Sequence, residues 1–172
     1  MQAIVAVDDN WGIGKEGGML FHLPEDLKHF RRLTLGKTVV MGRRTLDTLP
    51  SKSPLKDRRN IVLTRDTGLQ VPGADVAHDL HQLQQLLKDT PSDQVMLMGG
   101  GQIYALLIDC CDRAHVTHVQ GTWPAEHFFP DLSKRPGWRL VSRGEEQEQN
   151  GLRYTFCEYE NTSPQPLEQL IP

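Results

Sequence analysis

Short runs of apolar residues recur along the chain, and each is followed by a turn and then by a segment with helical periodicity. The first four runs are four to five residues long and continuous rather than alternating: 3–7, 38–41, 60–64 and 95–98. A more polar run follows at 114–119. Strands that are buried on both faces have this pattern, which favours a parallel sheet covered by helices.

Helical periodicity fills the gaps and predicts helices at about 24–34, 43–49, 79–87 and 102–108. Two later runs, 138–142 and 152–159, flank a polar loop that contains the turn signal Asn150-Gly151. The sequence therefore predicts one α/β domain, with a mostly parallel central sheet flanked by helices and an antiparallel C-terminal edge. We expect this domain to span 1–160, and the proline-rich segment 161–172 to be a loosely ordered tail.

Composition excludes several classes of protein. The chain has 172 residues, which suits one domain, and a formal net charge of −3, which argues against a nucleic-acid partner. Its apolar runs are far shorter than the roughly 20 residues that span a bilayer, so we expect no membrane partner. Cys110, Cys111 and Cys157 have no C-x-x-C spacing, which indicates reduced thiols in a cytoplasmic protein.

One acid interrupts an otherwise apolar helical face. Positions 23, 26, 27, 30 and 33 share one face of the first predicted helix, and all are Leu or Phe except Asp26. An acid in a first helical turn often only complements the helix dipole, which contributes about 0.3–1 kcal/mol. If the carboxyl group is buried instead, desolvation raises its pKa by up to about 3–5 units. Asp26 could then bind a protonatable, amidine-like heterocycle or support its protonation.

Three predicted strand ends carry groups that suit phosphates. Gly99-Gly100-Gly101 opens one helix, Gly42-Arg43-Arg44-Thr45 opens another, and Thr64-Arg65 follows a third strand. Backbone N–H groups approach phosphate closely in such glycine turns, and guanidinium groups pair with pyrophosphate. An arginine at the third strand end could hold the extra phosphate that distinguishes NADP from NAD. Each feature alone also fits a tight turn or a solvated arginine, but the three together favour a dinucleotide site.

Two further patterns are set aside. Residues 12–17 match G-x-G-x-x-G, but the last glycine opens no helix, so we interpret 12–18 as a flexible loop over a site. His115 and His118 are expected on opposite faces of a strand, and His78 and His81 lack carboxylate or thiol companions at metal-ligand spacing. We therefore predict no metal site.

Short motifs follow one another along the chain: Gly12-Ile13-Gly14 with Met19, Leu23-Pro24-Glu25-Asp26-Leu27 with Phe30, Met41-Gly42-Arg43-Arg44-Thr45, Arg58-Arg59-Asn60-Ile61-Val62-Leu63-Thr64-Arg65, Gly99-Gly100-Gly101-Gln102-Ile103-Tyr104, Thr117-His118 and Phe129-Pro130-Asp131. Their order and spacing resemble dihydrofolate reductases of the bacterial chromosomal type, from residue 3 to about 160. The resemblance implies their fold, and a reaction in which NADPH gives a hydride to C6 of 7,8-dihydrofolate while N5 takes a proton. The product, 5,6,7,8-tetrahydrofolate, supplies one-carbon carriers.

The resemblance also implies a role for each matching residue around the substrate. Asp26 would be the sole ionisable group of the pterin pocket, with Thr117 beside it, and the proton would reach N5 through water. Arg58 would hold the glutamate carboxylate of folate in a bidentate fork. The other substrate-binding residues that the resemblance implies are Ile4, Val5, Leu27, Phe30, Arg31, Leu49, Leu55 and Met98.

The cofactor-binding residues implied by the resemblance fall into three groups. Those lining the nicotinamide would be Ala6, Ile13, Gly14 and Met19, with Tyr104 near it and counted as catalytic. Those holding the pyrophosphate would be Gly42, Arg43, Arg44, Thr45, Gly99, Gly100, Gly101, Gln102 and Ile103. Those holding the adenosine 2′-phosphate would be Leu63, Thr64, Arg65 and His78.

One position departs from the family pattern. The family usually has Trp five residues before the acid, whereas this chain has Phe21, which we count with the catalytic residues. Phe lacks the indole N–H that helps to order a water near the substrate, so the resemblance implies a slower enzyme or altered inhibitor contacts rather than an inactive one.

Two other functions compete with this one. The same fold also suits a reductase of a pyrimidine ribosyl phosphate in riboflavin synthesis, and a non-catalytic protein could merely hold a nucleotide. Arg58 and Phe30 favour folate over the ribosyl phosphate. We expect a monomer that binds dihydrofolate and antifolate inhibitors.

Overall fold

The structure is a computed structural model that describes residues 1–15 and 18–172. In this part of the chain a nine-stranded sheet carries helices on both faces, and a three-stranded sheet accompanies it. The strands are β1 (Gln2–Val7), β2 (Gly12–Lys15), β3 (Gly18–Met19), β4 (Thr38–Gly42), β5 (Arg59–Leu63), β6 (Ala74–Ala77), β7 (Val95–Leu97), β8 (Arg113–Val119), β9 (His127–Phe128), β10 (Trp138–Arg143), β11 (Gln147–Gln149) and β12 (Leu152–Asn161). The helices are α1 (Pro24–Thr34), α2 (Arg43–Thr48), α3 (Leu80–Leu87) and α4 (Gly101–Leu107), with short 3-10 turns at Pro50–Lys52, Ser92–Gln94, Ile108–Cys110 and Leu167–Leu170.

The large sheet has the order β10-β12-β8-β1-β7-β4-β5-β6. All neighbours from β8 to β6 are parallel, whereas β12 is antiparallel to β8, β10 and β11. The predicted α/β fold with an antiparallel C-terminal edge is therefore confirmed. Because parallel strands end at the same edge, the residues that follow β1, β4, β5 and β7 are brought together there.

Alternation along the strands divides the core into two layers. Val40, Ile61 and Leu97 face α3 and α4, where they pack with Leu83 and Leu107. Their sequence neighbours on the same strands face the other way and pack with residues of α1 and α2, forming the group Val39, Met41, Val62, Met96, Phe30, Leu33 and Leu46. The continuous apolar runs in the sequence thus correspond to strands covered on both faces.

The segment predicted as a flexible loop at 12–18 is partly a strand. Gly12–Lys15 forms β2, which is antiparallel to both β3 and β9. A Cβ atom at Gly12 would lie 2.8 Å from the Cβ atom of Ala125, so the close approach of these segments requires glycine. Residues 16 and 17 lie outside the described residues. The expectation of a loop was wrong for Gly12–Lys15 because contacts from distant segments hold it as a strand.

The segment 161–172, for which composition predicts loose order, contacts α3 in the structure. Leu167 and Leu170 pack against the core layer of α3, and Gln84 donates a hydrogen bond of 2.9 Å to Glu168. The backbone N–H of Gln165 also bonds to the carbonyl of Asp109 at 2.8 Å. Among the described residues, no helix is long and apolar enough to cross a membrane.

We predict that replacing both Leu167 and Leu170 by Ala lowers the free energy of unfolding by about 1–3 kcal/mol, because each leucine is partly buried. Chemical denaturation measures this loss, and activity is expected to persist. The matched control is Gln169→Ala in the same turn, which is exposed and is expected to change stability by less than about 0.5 kcal/mol. Equal stabilities for the double variant and the wild type would mean that the tail is not anchored.

Candidate active site

The acid that interrupts the apolar face of α1 contacts the central sheet. Pro24 begins the helix, where its fixed φ angle and missing N–H are tolerated. Two residues later, Asp26 is half-buried, and its Oδ1 accepts a hydrogen bond of 2.6 Å from Oγ1 of Thr117. Thr117 is itself buried in β8. The structure therefore places a carboxyl group between α1 and the sheet, which is the buried alternative of the two that the sequence pattern left open.

Burial is the main influence on this carboxyl group. It raises the pKa of Asp26, because removing the group from water disfavours its charged form, and the hydrogen bond from Thr117 opposes the rise. Asp26 consequently holds a proton more readily than an exposed aspartate. An acid placed in this way can take part in hydrogen bonding or protonation of a ligand.

Most of the apolar side chains predicted to bind the substrate lie on the side of the sheet that α1 and α2 cover. Ile4, Phe30, Leu49, Leu55 and Met98 all pack against the core layer of α1 and α2. Leu27 follows Asp26 and is 47% exposed, so it is available for contact with a ligand. Val5 differs from its neighbours, because it packs partly against the opposite layer, that of α3 and α4.

Two arginines lie at the far end of α1. The Nη1 of Arg58 donates to Oγ1 of Thr34 at 3.1 Å, and its Nε donates to the carbonyl of Lys56 at 2.8 Å. Burial and the nearby guanidinium of Arg31 lower the pKa of Arg58, since each disfavours a further positive charge. Two neighbouring cations attract an anionic group such as a carboxylate.

The three glycines form a turn that joins the ends of β4 and β7. The N–H of Gly42 bonds to the carbonyl of Gly99 at 2.8 Å, and the Gly99–Gly100 peptide is cis. Gly99 has a φ of +111°, and a Cβ atom there would lie 2.9 Å from Cε2 of Tyr104. A Cβ atom at Gly42 would lie 3.0 Å from Cγ1 of Ile103. Gly99 therefore requires glycine, whereas a side chain at Gly42 would crowd Ile103. The backbone of the turn is left accessible to a ligand such as a phosphate.

Tyr104 connects this turn to β1. Its hydroxyl donates a hydrogen bond of 2.6 Å to the carbonyl of Ile4, and both residues are buried. Burial raises the pKa of Tyr104, so the hydroxyl stays protonated and continues to donate. The backbone of Ile4 is thereby held beside the glycine turn.

The small sheet approaches the start of α4. A Cβ atom at Gly101 would lie 3.9 Å from Cδ1 of Ile13, which is ordinary van der Waals contact. The carbonyl of Gly14 accepts a hydrogen bond of 2.8 Å from the N–H of Glu126. Met19 pairs with Gly14 and is 62% exposed. Ile13 is therefore close to the glycine turn, and Gly14 and Met19 lie next to Ile13 in the small sheet.

The other predicted phosphate-binding residues, apart from those of the glycine turn after β7, lie at the ends of β4, β5 and β6. Nδ1 of His78 is 3.3 Å from the carbonyl of Thr64, so these two residues are adjacent. Arg43 pairs with Asp66 at 2.6 Å, an exposed ion pair that the sequence analysis did not foresee. Within 1–15 and 18–172, Arg44 and Arg65 are exposed cations without an ion pair.

Three other members of the predicted cofactor set differ in exposure. The Leu63 side chain is buried in the layer of α3 and α4, so only its backbone is available to a ligand. Gln102 is exposed on the first turn of α4. Thr45 lies beside the glycine turn, because its Oγ1 would be 3.5 Å from a Cβ atom at Gly100.

Sequence reasoning missed two residues that support this region. Asp8 is buried, and its carboxylate accepts hydrogen bonds from the N–H groups of Asn10, Gly12 and Trp123 at 2.9, 2.8 and 3.1 Å. Trp123 packs edge-to-face on Phe21 with ring centroids 5.1 Å apart, in the cluster that also contains Ala6. Trp123 lies in no segment with helical or strand periodicity, so no sequence pattern indicated it. Asp8 directly follows a predicted buried strand, and an acid in that position is a signal that could have identified it.

A cavity of about 650 Å³ lies apart from these residues. Its lining includes Arg135 and Asp109, which already pair through two hydrogen bonds of 2.9 Å. No residue of the Asp26 region lines it. We take the Asp26 region as the candidate site because it combines an apolar wall with an acid of raised pKa and a glycine turn.

Comparison with known proteins assigns the chain to a family. A family model described as dihydrofolate reductase matches residues 1–161. The chain belongs to the dihydrofolate reductase family. The resemblance drawn from the motifs is therefore confirmed, and the riboflavin-pathway alternative is not favoured.

Individual relatives agree with the family match. Dihydrofolate reductase type 3 of Salmonella typhimurium is 37% identical over 162 residues, which cover 94% of this chain and 96% of that protein. Dihydrofolate reductase of Staphylococcus aureus is 35% identical over 158 residues, 91% of this chain and 94% of that protein. A solved dihydrofolate reductase from Enterococcus faecalis, complexed with NADP(H) and RAB-propyl, superposes with a TM-score of 0.81 at 31% identity, covering 92% of this chain and 94% of that one.

The family match confirms that the chain is an NADPH-dependent oxidoreductase, and the residues present fit that cofactor. The turn at Gly99, where a Cβ atom would meet Tyr104, keeps the backbone open to a pyrophosphate. The exposed Arg44 and Arg65 supply positive charge at the neighbouring strand ends. No group of three or more His, Cys, Asp or Glu residues suited to a metal ion occurs in the described part of the chain.

We predict that Asp26→Asn stabilises the protein at neutral pH. Because the folded pKa of Asp26 is raised above its ordinary value of 3.8, the folded state binds the proton more tightly than the unfolded state. Wild-type stability therefore falls as pH rises through 3.8 to the raised pKa, by about 1.4 kcal/mol for each unit of the rise. Asn carries no such charge and avoids this loss.

Denaturation of both proteins across the acidic range tests this prediction. The gain in stability from Asp26→Asn should be present at neutral pH and disappear below pH 3.8. Asp47→Asn, at an exposed position on α2, is the matched control and should show no such gain. A constant difference at every pH would contradict a raised pKa.

Proposed function

We propose that Asp26 and Thr117 form the pterin-binding and proton-handling centre for the reduction of 7,8-dihydrofolate to 5,6,7,8-tetrahydrofolate. The observation that supports this most strongly is their hydrogen bond of 2.6 Å, placed between α1 and the sheet beside an apolar wall. The riboflavin-pathway substrate offers a phosphate in place of the glutamate tail, and no observation at this site favours it.

The carboxyl group of Asp26 binds and polarises the pterin. Its oxygen atoms accept hydrogen bonds from the N–H groups of the amidine-like edge of the ring, an arrangement that is strong because the acceptor is charged. Thr117 fixes the orientation of the carboxyl group from the sheet side. The negative charge favours a positive charge on the ring, so N5 takes its proton more readily from water. Asp26 thus supports protonation without contacting N5.

The apolar wall around the carboxyl group orients the ring and excludes water. Ile4, Phe30 and Leu49 pack on one layer, so a flat heterocycle inserted beside them loses its hydration on that side. The carbonyl of Ile4 is held by Tyr104 at 2.6 Å and lies at the edge of the same region. Exclusion of water strengthens the electrostatic effect of Asp26.

Arg58 binds the glutamate end of the substrate. Its contact with Thr34 at 3.1 Å holds the guanidinium at the end of α1. A guanidinium matches a carboxylate in a bidentate fork, which a lysine at this position would not reproduce. The nearby Arg31 adds positive charge, so an anionic tail relieves the repulsion between the two cations.

The cofactor-binding residues act from the strand ends. Gly99, Gly100 and Thr45 would hold the pyrophosphate, and Arg65 with His78 would hold the 2′-phosphate. NADPH supplies the hydride when it is bound. Ile13 and Ala6 would orient the nicotinamide, and Phe21, packed on Trp123, shields the region from solvent.

The cellular compartment and the class of inhibitors also belong to this proposal. All three cysteines are free, which suits a reducing compartment such as the cytoplasm. Antifolate inhibitors that carry a protonatable, amidine-like ring would bind Asp26 by the same paired hydrogen bonds.

We expect the wild-type protein to consume NADPH in the presence of dihydrofolate, and Asp26→Asn to be slower by roughly 100-fold or more at neutral pH. The rate of the variant should partly recover at low pH, where the substrate is already protonated. Steady-state rates across pH measure both effects. Glu25→Gln is the control, because Glu25 pairs with Lys28 on the exposed side of α1. A loss that is independent of pH would contradict the protonation role, and no wild-type turnover at all would refute the function.

We expect Arg65→Ala to reduce the preference for NADPH over NADH by roughly 10- to 100-fold, because a hydrogen bond to a charged group contributes about 1.5–3 kcal/mol. The ratio of kcat/KM for the two cofactors measures the preference. Arg139→Ala removes another exposed arginine, which pairs with Glu160 on β12, and should leave the ratio unchanged. An unchanged ratio in Arg65→Ala would reject the assignment.

A further inference from the structure

The helix that carries Asp26 lacks a capping side chain within its own sequence. Leu23 occupies the N-cap position and provides no hydrogen bond, and Pro24 has no N–H group. The first N–H that needs a partner is therefore that of Glu25. The first backbone hydrogen bond within the helix runs from the N–H of Leu27 to the carbonyl of Leu23 at 3.0 Å, so it does not involve the N–H of Glu25.

A distant glutamine supplies the missing partner. The Oε1 of Gln149 accepts a hydrogen bond of 3.0 Å from the N–H of Glu25, across 124 residues of sequence, at a partly buried position. Gln149 lies in β11, which pairs with β12 through Leu152. The cap is thus attached to the antiparallel edge of the central sheet.

The same pair of strands also contacts the residues that precede α1. Tyr154 of β12 is buried in a cluster with Phe21 and Leu23. Its hydroxyl donates to Oε1 of Gln147 at 3.4 Å. Gln147 and Gln149 are two residues apart on β11 and share one face of the strand. The β11–β12 hairpin therefore contacts both the approach to α1 and its first turn.

We propose that Gln149 is a positioning residue for the reaction, which fixes the first turn of α1 and so places the Asp26 carboxyl group against Thr117. Asp26 directly follows the residue that Gln149 holds. If that turn frays, the carboxyl group moves relative to β8, and catalytic groups tolerate displacements of only about 0.5 Å. The role of Asp26 is taken from the proposed function.

The surroundings of Asp26 make it sensitive to a new charge at position 149. Among the described residues, Tyr104 of α4 and Tyr154 of β12 interact electrostatically with Asp26. Glu25, which pairs with Lys28 at 3.1 Å, lies next to Asp26 on α1. Burial raises the pKa of both tyrosines, so they are neutral near neutral pH. A carboxylate introduced at 149 would therefore lie beside the Glu25–Lys28 pair, whose net charge is zero, and would add a negative charge near Asp26.

The experiment compares Gln149→Leu and Gln149→Glu with wild type. Leu keeps the size but cannot accept the hydrogen bond, so the single-turnover rate of hydride transfer should fall roughly 3- to 30-fold while the Kd for NADPH stays unchanged. Glu still accepts the bond and adds a negative charge. It should keep the maximal rate and shift the pH profile of hydride transfer upward by roughly half a unit, since a like charge disfavours ionisation of Asp26.

Gln147→Leu is the matched control, because it alters the same strand and removes a contact with Tyr154 rather than with α1. It should leave the rate and the pH profile at wild-type values. Amide hydrogen exchange of Leu27 in the unliganded protein gives a second readout, and it should quicken roughly 3- to 30-fold in Gln149→Leu only.

Several results would overturn the proposal. These are a wild-type rate in Gln149→Leu, an equal loss in Gln147→Leu, or an unshifted profile in Gln149→Glu. If Gln149→Leu does not fold, the profile of Gln149→Glu decides the question. If the wild type has no turnover, the proposed function fails, and the exchange of the Leu27 amide alone decides whether Gln149 caps the helix.

Discussion

The contact between Asp26 and Thr117 is the constraint on which the site depends. A carboxyl group is kept between a helix and a sheet, where burial disfavours its charge and one hydrogen bond of 2.6 Å partly compensates. This arrangement costs stability, because a leucine at the same place would pack without loss of hydration. The protein gains an acid that holds its proton more readily than a solvated aspartate does.

The parallel sheet places the glycine turn and the other strand ends near the contact between Asp26 and Thr117. Because β1, β4, β5 and β7 are parallel, the residues that follow them meet at one edge. The hydrogen bond from Tyr104 to Ile4 then ties the glycine turn to the strand beside Thr117. The apolar residues around Ile4, the acid and the glycine turn thus share one frame, and Arg58 lies at the far end of α1.

Local signals explain what the sequence could predict. Pro24 marks the start of α1, and the apolar face identified both the helix and the acid within it; the helix was expected at 24–34 and lies at Pro24–Thr34. The family motifs then supplied the roles proposed for residues such as Arg58.

The features that sequence could not predict depend on distant partners. Gly12–Lys15 is a strand because β3 and β9 pair with it, and Gln149 caps α1 across 124 residues. The ion pair of Arg43 with Asp66 likewise joins two strand ends that only the fold brings together.

Direct titration of the Asp26 carboxyl group tests the central claim. Carbon NMR of carboxyl-labelled aspartate in the unliganded protein, with Asp26→Asn to identify the signal, would give its pKa. The account predicts a pKa clearly above the ordinary value of 3.8, and a further rise in Thr117→Val, which removes the opposing hydrogen bond. A pKa at or below 3.8 in the wild type would contradict the account, because Asp26 would then behave as a solvated acid.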